Sequence, residues 1–198
     1  MEDKRVLKTR QNLKQTLLFL LGSKTFEQIT VTELCEAANT SRITFYSHYN
    51  DKYELAEDML NDISAGISLD YERLQRKNNP QNDPMAGFEN LLECILEAYC
   101  KYASQCEPTV KSKSSYLNFA LYQHVMGAVE NYARRVSERL KPKYTLKQMS
   151  AFIINGMMGF INECMAQKRP FEEIKAQTKD LLRDILSAIT FRPAVQMA

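Results

Sequence analysis

Side chains able to bond to phosphates and base edges are concentrated in one short segment near the amino terminus. They comprise a guanidinium, several hydroxyls and an imidazole: Ser41, Arg42, Thr44, Tyr46, Ser47 and His48. Such groups can read DNA when a helix-turn-helix presents one helix to the major groove. The chemistry predicted for this segment is therefore recognition rather than catalysis.

The flanking residues predict the elements that would present this segment. Thr30 and Glu33 have the spacing of a capping box, which predicts a helix directly after Thr30. Asn39 tolerates the left-handed conformation of a sharp turn, and Ser41 can cap the next helix. We expect that second helix to cover roughly residues 42–49.

A third helix is predicted to open at Lys52, capped by Asn50 or Asp51. A cation in the first helical turn opposes the macrodipole, which favours negative charge there. An external anion such as a DNA phosphate would relieve that mismatch. The residues alone also fit a packed corner of an ordinary helical protein, in which Tyr46 and His48 are partly buried struts.

Residues 10–55 resemble the N-terminal DNA-binding domain of the tetracycline-repressor (TetR/AcrR) family of transcriptional regulators. The most specific part is the run S-x-x-T-F-Y-x-x-Y-x-x-K-x-x-L, from Ser41 to Leu55. Further matches precede it: Arg10, Leu13, Phe26, Thr30, Val31, Leu34 and Ala38. Thr25, Asn39 and Ile43 depart from the family pattern, which often has Gly, or at the last position Gly or Pro. Another member's operator sequence therefore cannot be transferred to this chain.

Hydrophobic periodicity predicts helices along the whole chain. The expected fold is all-α and TetR-like, with about nine helices. A three-helix helix-turn-helix domain would occupy residues 1–52, and a helical ligand-binding and dimerisation bundle residues 53–198.

The resemblance also implies the residues that bind the double-stranded DNA operator. They are Thr32, Ser41, Arg42, Ile43, Thr44, Tyr46, His48 and Lys52. Residues 41–44 would read bases, with Arg42 on a guanine and Ile43 on a thymine methyl. Tyr46, His48 and Lys52 would grip phosphates.

The net charge of +2 gives little indication of nucleic-acid binding, but the distribution of the charged residues is more informative. Five basic residues and no acidic one lie between Lys4 and Lys14. This run would suit DNA phosphates, although Lys4 and Arg5 fit a solvated helix end equally well.

An apolar band on the penultimate helix is wider than one core-facing stripe, so that helix must be buried on more than one side. We expect a homodimer in which the last two helices of each chain form a four-helix bundle. The expected interface consists of Phe152, Ile153, Gly156, Met157, Phe160, Leu182 and Ile185. The alternative is an ordinary central helix buried within one chain.

In the family, a small molecule bound in the C-terminal domain releases the repressor from a palindromic operator. The resemblance implies a small-molecule effector here too. Candidates to line its pocket are Tyr99, Tyr102, Phe119, Tyr122 and Met126. Each of these is more often plain core.

Other classes of function have little support in the sequence. We find no Gly-rich phosphate loop, HExxH or GxSxG motif, and neither histidine has a metal-ligand partner at suitable spacing. No catalytic residue, cofactor or metal is therefore predicted. The remaining alternative is a helical adaptor that binds only protein. Five cysteines without a CxxC pair, and no targeting or membrane-spanning run, favour a cytoplasmic protein with reduced thiols.

Overall fold

The computed structural model describes residues 4–103, 115–140 and 144–190, with backbone alone at 102–103, 137–140, 146 and 189–190. These residues form eight α-helices, one 3-10 turn and connecting loops, with no strand among them. The prediction of an all-α fold is confirmed. The elements are α1 (Lys4–Leu21), the 3-10 turn (Phe26–Gln28), α2 (Val31–Ala37), α3 (Arg42–Tyr46), α4 (Lys52–Asn78), α5 (Pro84–Ala103), α6 (Ser115–Leu140), α7 (Leu146–Ala166) and α8 (Phe171–Thr190).

The chain forms two compact units, whereas the functional division at residue 52 stays a prediction. The first unit combines Met1–Gly66 with Ala98–His124, and the second combines Ile67–Glu97 with Val125–Ala198. Helices α4, α5 and α6 each contribute residues to both units.

The first unit has a core that α1, α2 and α3 do not complete alone. Leu13 and Leu17 of α1 and Phe45 of α3 are fully buried in it. Leu55 of α4 and Leu117 of α6 belong to the same cluster. Burying each such side chain contributes about 1.5–3 kcal/mol, so the three-helix domain depends on residues well beyond position 52.

The second unit is held by an apolar core and by a ladder of ion pairs. Its core includes Phe88, Tyr132, Met157 and Leu182. The ladder joins carboxylates on α5 to cations on α8, spaced four residues apart on each helix: Glu89, Glu93, Glu97, Lys175, Lys179 and Arg183. Among the described helices, none is long and apolar enough to cross a bilayer.

Candidate nucleic-acid interface

The first helix of the predicted motif begins where the sequence indicated. The Thr30 side chain accepts a hydrogen bond from the backbone N–H of Glu33 at 3.2 Å. The Glu33 carboxylate accepts instead from Lys24, so the expected reciprocal half of the capping box is replaced by an ion pair. At the other end, Asn39 has φ of 49° and makes the predicted left-handed turn.

The second helix, α3, is capped as predicted but is shorter than predicted. Ser41 Oγ accepts from the backbone N–H of Thr44 at 3.0 Å. The helix ends at Tyr46 rather than Tyr49. The Ser47 hydroxyl donates to the Thr44 carbonyl at 2.7 Å, and such side-chain bonds compete with continued helix.

The two faces of α3 have opposite environments. Phe45 is completely buried, and Tyr49 just beyond the helix is nearly so. Ile43 is 85% exposed, and Ser41 and Arg42 are exposed beside it. The buried face therefore fixes α3 to the core, while the outward face carries the residues predicted to read bases.

The helix-turn-helix encloses a shallow open depression of about 410 Å³. Its lining residues come from α2, the turn and the start of α3: Thr32, Cys35, Glu36, Asn39, Thr40, Ser41 and Arg42. Three of the eight predicted DNA-binding residues thus line one surface. The sequence did not single out Glu36, whose exposed carboxylate can accept from a cytosine amino group. The sequence feature that could have identified Glu36 is its position one helical turn before Asn39, the residue at the turn.

Tyr46 and His48 have different surroundings. The Tyr46 side chain is 48% exposed, and the Arg42 guanidinium carbon lies 6.0 Å from its ring centre. His48 is half-buried beside the Tyr49 ring, at 6.5 Å between ring centres. The Tyr46 side chain is accessible to a DNA partner. The His48 side chain is partly packed against the protein and partly exposed at its surface. Thr44 is half-buried, and its hydroxyl lies 2.8 Å from that of Ser41.

The Lys52 ammonium is directed into the protein. Its Nζ donates to the carbonyl oxygens of Phe26 at 2.9 Å, Glu27 at 3.1 Å and Ile29 at 2.7 Å. Burial lowers the pKa of Lys52, and the Glu27 charge opposes part of that effect. A phosphate contact by Lys52 remains a prediction, and these occupied donors weigh against it.

Part of the basic run in α1 is also committed to internal contacts. Arg10 and Lys14 both pair with Asp58 of α4, at 2.8 and 3.2 Å, and Lys14 also pairs with Asp62. Lys4 and Lys8 are exposed. The expectation that the whole run serves phosphates is therefore corrected, because carboxylates on α4 already neutralise two of its charges.

The residues predicted to line an effector pocket differ in their exposure, and the pocket stays a prediction. Phe119 is 63% exposed, so it does not line an enclosed cavity, and Met126 is buried in ordinary core fashion. Tyr99 and Tyr122 are half-buried, and the Tyr102 side chain lies outside the described residues. The larger of two described clefts, of about 870 Å³, lies elsewhere and is open to solvent. It is lined by Gln11, Lys14, Gln15, Leu18, Phe19, Gly22, Ser23, Met59, Asp62 and Lys101.

The predicted dimer residues divide into two groups. Met157 and Leu182 are buried in the core of their own chain, and Ile153 and Ile185 pack against that core. The burial of Met157 and Leu182 fits the alternative of an intrachain core, and their place in a dimer interface stays a prediction. Phe152 is 66% exposed, Gly156 is exposed, and Phe160 is half-buried.

The thiols and potential metal ligands form no chemical site in the described chain. Cys35, Cys94 and Cys164 are buried free thiols, and Cys100 is half-buried. Burial raises the pKa of Cys35, and that of Cys94 to about 11, which disfavours the reactive thiolate. Cys106 lies outside the described residues. No group of three or more His, Cys, Asp or Glu residues within the described ranges could hold a metal ion.

Comparisons with known proteins concern the fold of the chain. No family model matches the chain. It is 31% identical over 97 residues to YxbF of Bacillus subtilis, an uncharacterized HTH-type transcriptional regulator. That match covers 48% of the chain but only about a quarter of the length of YxbF.

Several solved structures share the fold over nearly the full chain. A protein from Syntrophomonas wolfei assigned to the TetR family aligns with a TM-score of 0.72 and 11% identity, over 97% of this chain and 99% of that one. The fold is that of the TetR-family transcriptional regulators. The Thermus thermophilus repressor FadR, a TetR-family protein in complex with lauroyl-CoA, aligns at 0.61 with 18% identity over 96% and 99%. The TetR-like fold is shared also by DhaS, an activator of a dihydroxyacetone kinase operon, at 0.54 with 16% identity over 93% and 99%.

Proposed function

We propose that this protein is a homodimeric TetR-type transcriptional regulator that binds a palindromic operator through α3. The single observation that carries the proposal is that α3 buries one side chain in the core and exposes another, two residues away, to solvent. Phe45 is fully buried while Ile43 is 85% exposed. A short helix held firmly on one side, with an apolar and a cationic reader on the other, fits a major groove.

The readers have distinct chemistry. Arg42 supplies two parallel donors for the O6 and N7 acceptors of a guanine, and Ile43 supplies an apolar contact for a thymine methyl. Thr32 of α2 and Ser41 line the same depression as Arg42. Phosphate contacts would come from Tyr46, His48 and the exposed α1 cations Lys4 and Lys8.

An unpartnered face on α7 supports the homodimer. Phe152, Gly156 and Gly159 recur at helical spacing, and all three are exposed. A methyl group added at either glycine would meet no other side chain or neighbouring helix of the described chain within 4 Å. Another helix could therefore approach closely. Two copies joined there could hold two α3 helices about 34–36 Å apart, as successive major grooves require.

Repression and release by a small molecule are the finer parts of the proposal. A repressor and an activator both share this fold with the chain, so the fold supports regulation of either sign. FadR binds lauroyl-CoA in its structure, which supports an effector of some kind here. A small molecule must bind the DNA-incompetent state more tightly to release DNA. A reporter gene downstream of the selected operator would give the sign, because deletion of the regulator raises expression only under repression.

Selection of bound sites from random duplexes tests the central claim. The wild-type protein should enrich a two-fold symmetric consensus. The Arg42→Ala variant should lose preference at one base position in each half-site, by roughly 1–3 kcal/mol. Arg73→Ala, a well-exposed arginine on α4, is the matched control and should select the wild-type consensus. Failure of the wild-type protein to enrich any sequence, at low as well as moderate salt, would favour a protein-binding adaptor instead.

A further inference from the structure

The Lys52 ammonium group is bonded within the protein, whereas a lysine that contacts DNA would direct its donors to solvent. An ammonium group has three N–H donors, and three carbonyl oxygens of one short segment lie within 3.1 Å of Nζ. The same nitrogen lies 4.8 Å from the centre of the Phe26 ring and 5.7 Å from that of Tyr53. The cation is thus coordinated by the chain itself.

This arrangement resolves the electrostatic mismatch at the start of α4. A lysine in the first turn of a helix faces the positive end of the macrodipole. Here the negative ends of the Phe26, Glu27 and Ile29 carbonyl dipoles surround the ammonium. No external anion is required, and a phosphate would have to compete with three existing bonds.

The bonded segment directly precedes α2. Ile29 is followed by Thr30, whose side chain caps α2. Lys52 is the first residue of α4, so its three bonds fix the start of α2 relative to the start of α4. Because α2 and α3 are joined by a short turn, the position of α3 depends on the same contact.

We propose that Lys52 is a positioning residue that sets the DNA-reading helices through the carbonyls of residues 26–29, and is not a phosphate contact. This inference rests on the proposed DNA-binding function. It separates two roles that give different salt dependence. Loss of a phosphate contact reduces the slope of log affinity against log salt by about 0.9 per contact, whereas misplacement of a helix leaves that slope unchanged.

The test compares Lys52→Met and Lys52→Arg with the wild-type protein on the selected operator across a salt series. Met keeps the length of the side chain without donors. Arg keeps the charge but directs its donors in a planar fork that cannot match three separate carbonyls. Lys77→Met, an exposed lysine near the other end of α4, controls for loss of one charge.

Both Lys52 variants should lose operator affinity by at least about fivefold, the lower end of typical coupling between sites, with the wild-type salt slope. Lys77→Met should keep both quantities. A reduced slope for Lys52→Met, or wild-type affinity for Lys52→Arg, would identify a phosphate contact and overturn the proposal. If Lys52→Met does not fold, the Arg variant decides by the same criteria.

Amide hydrogen exchange supplies a readout that needs no DNA. The Ile29 N–H donates to the Phe26 carbonyl at 3.2 Å within the segment that Lys52 holds. Exchange at this amide should accelerate in both Lys52 variants and stay unchanged in Lys77→Met. Unchanged protection of the Ile29 amide would overturn the proposal that Lys52 positions residues 26–29. If the wild-type protein binds no duplex, the proposed function fails, and this measurement alone decides the role of Lys52.

Discussion

The Tyr49 hydroxyl donates a hydrogen bond of 2.6 Å to the Asp58 carboxylate, which joins the segment after α3 to α4. The other Asp58 oxygen accepts from Arg10 of α1 at 2.8 Å, and Arg10 also donates to the Tyr49 oxygen at 3.3 Å. One half-buried carboxylate thus connects α1, the segment after α3 and α4. Burial and the bond to Asp58 raise the pKa of Tyr49, so it stays a donor at all ordinary pH values.

Asp58→Asn should destabilise the first unit. Burial raises the pKa of Asp58, but bonds from Tyr49, Arg10 and Lys14 outweigh it, so the net pKa lies below its ordinary value. The carboxylate therefore contributes stability above its unfolded-state pKa, and this contribution is lost as pH falls through the folded-state pKa. At pH 7 we expect a loss of about 2–3 kcal/mol, below the range for fully buried pairs because the side chain is 17% exposed.

Chemical denaturation at pH 7 and at pH 3 measures this contribution. The difference between Asp58→Asn and the wild-type protein should shrink at the lower pH, because pH 3 lies below the ordinary pKa of an aspartate and the contribution of the charged carboxylate falls from there. Asp70→Asn, an exposed carboxylate on α4, is the control and should change little at either pH. An equal loss for Asp58→Asn at both pH values would contradict a charge-dependent role.

Ile43 should make the operator sensitive to one thymine methyl in each half-site. Replacing that thymine by deoxyuridine removes the methyl group alone. Burial of one such carbon contributes about 0.8 kcal/mol, so affinity should fall about fourfold per half-site. Titration of wild-type protein and Ile43→Ala against both duplexes measures the effect. The Ala variant should not distinguish the duplexes, and equal sensitivity of both proteins would exclude Ile43 as the methyl contact.

Phe152→Lys should separate the proposed dimer without unfolding the chain. The ring is 66% exposed in the single chain, so a charge there costs little until a second copy covers it. An interface anchor contributes about 2 kcal/mol or more, and the dimer Kd should rise at least about thirtyfold. Sedimentation at several concentrations, with circular dichroism to verify helicity, provides the measurement.

Phe119→Lys is the matched control for the dimer test. Phe119 is comparably exposed at 63% but lies on α6, outside the proposed interface. Its substitution should leave the monomer–dimer equilibrium unchanged. The interface would have to be moved to α6 if Phe119→Lys dissociates the protein and Phe152→Lys does not.

Glu93→Gln should weaken the ladder between α5 and α8. Glu93 pairs with Lys175 at 3.0 Å and also with Lys179. Burial raises its pKa, but the two ammonium groups outweigh that effect and hold the pKa below its ordinary value. The stabilisation is therefore present above the unfolded-state pKa and disappears as pH falls through the folded-state pKa.

The expected loss at pH 7 is about 1–2 kcal/mol, intermediate between exposed and buried pairs. Thermal unfolding at pH 7 and pH 3.5 checks it, with Glu72→Gln on the exposed side of α4 as control. The difference between Glu93→Gln and the wild-type protein should shrink at the lower pH, which lies below the ordinary pKa of a glutamate. A loss that does not change with pH would indicate altered packing instead of the ion pairs.

Local sequence determined the helix-turn-helix because its signals act over a few residues. The Thr30 and Ser41 caps, the left-handed Asn39 and the start of α4 at Lys52 all depend on bonds within five residues. All are found as predicted. The exposed position of Ile43 could also be expected, because a short helix with a buried Phe45 must turn its other face outward.

Contacts between distant residues decided the rest. Lys52 could have faced a phosphate by its sequence position, but the carbonyls 23–26 residues earlier claim its donors. Arg10 and Lys14 look like a basic tail until α4 brings Asp58 beside them. Met157 and Phe152 belong to one apolar band in the sequence, yet the packing of α7 buries the first in its own chain and exposes the second. A linear pattern gives the type and spacing of side chains, whereas the partner of each charge and apolar face depends on which helices pack together.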